Sequence, residues 1–181
     1  MGIAARQLRQ RDGTTCGPTV AVVAGALLDP TYRSALTDTV TGRDWFAAEQ
    51  ARVHASVNRV WPRMLGTTPM GMAHAITVHA RVRGRRYRWR SFRGRRDRMA
   101  DVQSAVRAGW PVAMLIGAVV PRHWVLIVKA TGDALHCYEP SSGEVRVVDV
   151  ADVRNARLTP LGYRRPFAFV LPRPSPRAAT T

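Results

Sequence analysis

Residues 16–28, CGPTVAVVAGALL, contain no charged side chain and nothing more polar than threonine. Pro18 falls in the first turn of the helix this run predicts, where a missing N–H costs nothing. Asp29-Pro30 stops it. A helix that is apolar all round has no face to offer water and must be buried on every side. The rest of the chain therefore has to supply layers around it. Residues 111–117, 123–130, 134–140, 144–150 and 167–171 are short runs, apolar or alternating, that read as strands. Gly132-Asp133 and Ser141-Ser142-Gly143 join three of them as hairpins. Three further helices are predicted. One covers 44–60, with Trp45, Phe46, Val53, Val57 and Val60 on one side. Another covers 69–80, capped by Thr68 and opened by Pro69. The third, 98–108, carries Met99, Val102 and Val106 on one face and ends at Gly109. A strand at 85–92 alternates, which predicts Tyr87 and Trp89 on the core and Arg86, Arg88 and Arg90 in water. Helices first and antiparallel strands second define an α+β fold, N-terminal helices packed on a C-terminal sheet. The length suits one domain over 1–172, followed by a proline-rich, disordered tail over 173–181.

The net charge is +16, but 27 of the 28 basic residues are arginine and only Lys129 is lysine. So lopsided a ratio reads as compositional habit as much as selected chemistry. No stretch approaches the roughly 18 consecutive apolar residues of a membrane helix, and no secretory signal opens the chain. A cytoplasmic protein with no membrane span is expected. The two cysteines, Cys16 and Cys137, are too far apart and too few for a disulfide framework or a structural zinc site. No metal and no cofactor is expected.

Cys16 stands at the mouth of the buried helix, where orphan N–H groups and the positive end of the helix dipole stabilise a thiolate. Gly17 leaves room for a substrate backbone. A nucleophile needs a base, and the base needs an orienter. His123 opens the strand 123–130. The hairpin at 131–133 turns the chain so that Glu139, sixteen residues on, lands opposite it. The backbone N–H of Cys16 supplies one oxyanion donor, and the side-chain amide of Gln10, six residues upstream, a second.

A glutamine six residues before Cys-Gly, a distant His-aromatic pair at the head of an apolar strand, and an acid-proline pair sixteen residues further on resemble the papain-like bacteriocin-processing cysteine peptidases. These are the double-glycine leader peptidases and their stand-alone relatives. GTTPMGMAHAI (66–76) and AVRAGWPVAMLIG (105–117) are also similar to that family. The resemblance implies a papain-like fold and thiol-dependent cleavage of a peptide or protein substrate. Gln10 then takes the oxyanion-hole position, Cys16 the nucleophile, His123 the base and Glu139 the orienting acid. Trp124 takes the aromatic position after the histidine and, with Gly17, lines the substrate site. Glutamate stands where the family usually has aspartate, and its extra methylene predicts an imidazole set further away or rotated. Thr15 stands where the family often has aspartate. Coupling to export would need a separate partner.

Three other readings compete. The same thioester is open to an amine as well as to water, which makes an amide-forming acyltransferase the nearest rival. Residues 81–98, RVRGRRYRWRSFRGRRDR, hold ten arginines with Tyr87, Trp89 and Phe92 among them. Such a segment suits an inactive basic module for nucleic acid or acidic peptides. The alternation favours an ordinary half-buried strand instead, and nucleic acid is the less favoured partner. A basic strip beside the cleft would also steer an acidic leader peptide. Cys137, two residues before Glu139 on the same strand face, is read first as a buried inert thiol and second as an oxidation partner for Cys16.

Overall fold

The computed structural model describes residues 16–37, 42–57 and 67–173. Helix α1 (Cys16–Leu28) is the all-apolar segment, and twelve of its thirteen residues are buried. Asp29-Pro30 both stops it and starts the next helix. The Asp29 carboxylate accepts from the backbone N–H of Thr31 (3.0 Å) and Tyr32 (3.2 Å). That cap launches α2 (Pro30–Thr37), which the stop signal alone did not announce. Helix α3 spans Gly42–Val57, burying Phe46 and Val53. The expected continuation to 60 lies outside the described residues. Helix α4 (Pro69–Ala80) starts at the Thr68 cap, whose side chain accepts from Gly71 N–H.

Strands β1 (Tyr87–Ser91), β2 (Val112–Gly117), β3 (Pro121–Thr131), β4 (Ala134–Glu139), β5 (Glu144–Asp149) and β6 (Arg165–Pro172) form one sheet in the order β1-β6-β2-β3-β4-β5. Every pairing is antiparallel. Helices α5 (Ala100–Arg107) and α6 (Val150–Arg154) complete the set. The molecule is thus α+β, with helices packed on a six-stranded antiparallel sheet.

Strand alternation sorts the core into two parts. Ala113, Leu115, Trp124, Leu126 and Tyr138 face α1, α3 and α4. Met114, Ile116, Val125, Ile127 and Cys137 face α5 and α6. Helix α1 is therefore enclosed by other helices on one side and by the sheet on the other, as its lack of a polar face requires.

Strand β1 departs from the expected alternation. Tyr87 is buried, but Trp89 is 46% exposed and Arg90 only 8%. Trp89 shares Tyr87's face but is left uncovered there. On the opposite face the chain folds back over Arg90. The guanidinium bonds Asp97 at 2.6 and 3.1 Å and Asp101 at 2.6 and 2.7 Å, and sits over the Phe169 ring. A buried arginine is stable only when its fork is filled in this way, and alternation does not show where carboxylates will arrive. Among the described residues, no helix is long and apolar enough to cross a membrane.

Candidate active site

Three elements meet at one end of the sheet: the first turn of α1, the start of β3 and the end of β4. Gly17 sets the first contact. A Cβ there would stand 2.3 Å from Thr67 Oγ1 and 3.4 Å from Trp124 Cδ1, so only glycine lets α1 approach this closely. Trp124 is buried, and its indole N–H donates to the Thr67 carbonyl at 2.8 Å. The space beside Gly17 is thus filled by Thr67 instead of being open to substrate. Trp124 packs in the core. Both residues expected to contact substrate instead clamp the helix start to β3. Among the described residues Thr67 Oγ1, which is buried, has no hydrogen-bond partner.

Residues 118–120 turn tightly between β2 and β3. A Cβ on Gly117 would lie 2.0 Å from the Val120 carbonyl oxygen, and the strand register shifts there, placing His123 beside Ile116. Pro121 and Arg122 are exposed, so His123 is the first buried residue of β3. Glu139 ends β4. Leu126 pairs with Tyr138, so Glu139 is level with Val125. It is diagonal to His123 on the same strand face, two residues short of the directly opposite position expected from the hairpin. The two side chains reach towards each other across that diagonal. Nε2 of His123 and Oε1 of Glu139 are 2.7 Å apart. The Glu139 carboxylate also accepts from Ser141 N–H (3.0 Å) and Ser142 N–H (2.8 Å), so the turn after β4 holds the acid in place.

The charge on the His123 ring is also coupled to Cys16. With Nε2 on the carboxylate, Nδ1 is the nitrogen left for sulfur. Cys16, His123 and Glu139 are respectively 4%, 5% and 5% exposed. Burial works against a charge on His123, but the hydrogen bonds to Cys16 and Glu139, with the negative charges there, outweigh it and raise the ring to about 9. Burial would likewise raise Glu139. The bonds from His123, Ser141 and Ser142 win and hold its carboxyl well below the usual range. Thiol, imidazole and carboxylate thus form one continuous chain. Such an arrangement can hold a thiolate–imidazolium pair and pass one proton between sulfur and a leaving group.

One member of the site was not foreseen. Tyr163 stacks on the His123 ring, with centroids 5.2 Å apart and planes 16° from parallel. Burial and the charges of Cys16 and Glu139 push its phenol pKa up. The Arg164 N–H to Gly117 carbonyl bond (3.2 Å) ties this segment to the turn that sets His123. A lone aromatic between two elements has no periodicity to mark it. Gln10, expected to complete the oxyanion hole, lies outside the described residues. Cys137 is fully buried in the α5-facing core, and its thiol is pushed up to about 12 by burial. Cys16 packs in the other part of the core, and both cysteines are free thiols.

No family model and no curated protein matches the chain. Among solved structures, the double-glycine motif protease of an AMS/PCAT transporter, crystallised in complex with the leader peptide, is 12% identical with a TM-score of 0.48. The alignment covers 92% of this chain and 89% of that one. The peptidase domain of Streptococcus ComA, a bifunctional ABC transporter involved in a quorum-sensing pathway, is 15% identical with a TM-score of 0.47, over 93% and 97% of the two chains. At these identities and scores the likeness assigns neither activity nor substrate.

Proposed function

We propose that the chain is a papain-like cysteine peptidase whose nucleophile is Cys16. The observation that carries this reading is the His123 ring, 2.7 Å from Glu139 on one side and electrostatically coupled to Cys16 on the other. The Cys16 thiolate attacks a peptide carbonyl carbon, forming the S–C bond. Negative charge gathers on the carbonyl oxygen, received by the Cys16 N–H and the Gln10 amide. The C–N bond then breaks as His123 gives its proton to the leaving amine. Water attacks the thioester, leaving one proton on His123 and restoring the thiolate–imidazolium pair. Glu139 keeps the ring's orientation and stabilises its charge throughout. The sequence resemblance points to substrates with small residues before the scissile bond, as in double-glycine leader peptides.

The test needs no substrate. The alkylation rate of Cys16 by iodoacetamide is followed from pH 4 to 9, with mass spectrometry separating it from Cys137. Because Cys16 is only 4% exposed, access limits the absolute rate, and the shape of the pH profile is what is read. A rate that persists well below the free-thiol pKa of about 8.5, and is lost in His123→Ala, supports the pair. A rate that rises only near that value and ignores His123 marks a structural cysteine and ends the peptidase reading.

A further inference from the structure

The expected alternation of β1 would have buried Trp89 and left its arginines as a plain solvated face. The structure does the reverse for Trp89, and a groove results. It lies between α4 and β1, is about 450 Å³ in volume, and its lining includes the apolar Met70 and Trp89 and the basic Arg81, Arg86, Arg88 and Arg173. Met70 is 70% exposed and Trp89 46%. All four arginines are exposed. Among the described residues no carboxylate lines the groove and none of the four arginines is in an ion pair. Strand β1 ends the sheet, and among the described residues no further strand covers this side.

Four uncompensated positive charges around two exposed apolar side chains ask for a ligand that is acidic and amphipathic. We propose that this groove docks a peptide segment that carries several carboxylates and at least one large apolar side chain. Successive stacked bases would need successive aromatic platforms. Among the described residues only Trp89 offers one: Tyr87 is buried beneath the groove, and Phe92 turns to the opposite face against Phe169. The chain's own residues 174–181, PSPRAATT, follow Arg173 directly, yet they contain an arginine and no acid, so their charge does not match.

The groove also has a physical route to the active site. Helix α4 begins at Pro69, next to the Thr67 that packs on Gly17, and the groove runs along this helix. A helix of twelve residues is about 18 Å long, a span that five or six extended residues cover. That the docked segment belongs to a substrate, several residues from its scissile bond, rests on the peptidase reading. That the groove binds acidic peptide does not.

Binding is measured by fluorescence anisotropy in a Cys16→Ala background, where turnover is blocked. The probe is a fluorescein-labelled dodecapeptide of glutamate and leucine. The double variant Arg86→Glu/Arg88→Glu should weaken binding about tenfold or more, and Trp89→Ala about threefold. Arg96→Glu/Arg98→Glu makes the same change of net charge beside α6 and should alter binding less than about twofold. Arg86→Gln/Arg88→Gln, a milder neutralisation with unchanged far-UV circular dichroism, separates loss of the groove from loss of fold. Equal losses in the two glutamate variants would reduce the effect to diffuse charge and overturn the proposal. So would a labelled twelve-nucleotide oligo-dT that binds more tightly than the peptide and depends on Trp89. Since Cys16 is absent throughout, failure here leaves the alkylation result standing, and failure of the alkylation test leaves this one standing.

Discussion

His123 should titrate far from an ordinary histidine, and the reason can be taken apart. Burial is the largest influence on the ring and lowers its proton affinity. Only its two partners reverse this, lifting it from 6.5 to about 9, which corresponds to about 3 kcal/mol of preference for the charged ring. The fold favours the imidazolium, so this contribution is whole below pH 6.5 and is lost as the pH rises through about 9. Glu139→Gln keeps the shape of the acid but removes its charge. The ring's pKa should then fall by roughly one to two pKa units. Adding Cys16→Ser removes the sulfur as well, leaves burial the larger influence, and should take the ring below 6.5. The assay is the ring Cε1–H chemical shift from pH 5 to 10, assigned by the resonance that disappears in His123→Asn. A wild-type ring that titrates near 6.5, or one indifferent to Glu139→Gln, would refute the account of the site as one coupled chain.

Gly17→Ala should destabilise the protein by about 1–3 kcal/mol in urea unfolding, because overpacking against Thr67 outweighs the gain in helix propensity. Thr67→Gly in the same chain should recover most of the loss, and the absence of coupling between the two would show that the close approach is not what Gly17 serves. Arg90→Ala should cost about 3–5 kcal/mol by stranding the buried Asp97 carboxylate. That carboxylate is held below its ordinary pKa despite burial, by Arg90 and the N–H groups of Met99 and Arg93. Its stabilising contribution is present above about pH 4 and fades as the pH falls, so the gap between wild type and Arg90→Ala in urea midpoints should narrow in acid.

The sequence carries α1, α4 and the five C-terminal strands plainly, because each rests on a local signal: an apolar run, a Thr-Pro cap, or a glycine turn. It also places Cys16, His123 and Glu139, since a helix start and a hairpin are both countable along the chain. The register was two residues out because the tight turn pairs Thr131 with Ala134 and so carries Glu139 only as far back as Val125, even with the one-residue shift between Ile127 and Lys129. Where the reading went wrong, the deciding contact was long-range. Trp89 is bare because α4 does not cover it, and Arg90 is buried because Asp97 and Asp101 fold over it. Gly17 and Trp124 sit at the right positions in sequence for a binding role, but Thr67, fifty residues along from Gly17, occupies the space. Tyr163 reaches His123 only through the path of the loop before β6.

The sheet that separates the two halves of the core also separates the two thiols. Cys137 has no exposure and meets reagent only if strands part. Its rate of modification is therefore a clock for opening of the fold, built into the chain and independent of whatever Cys16 does at the other surface. One label per molecule in the native protein, and a second arriving on the timescale of hydrogen exchange in β4, would let one reagent report chemistry and stability in the same tube.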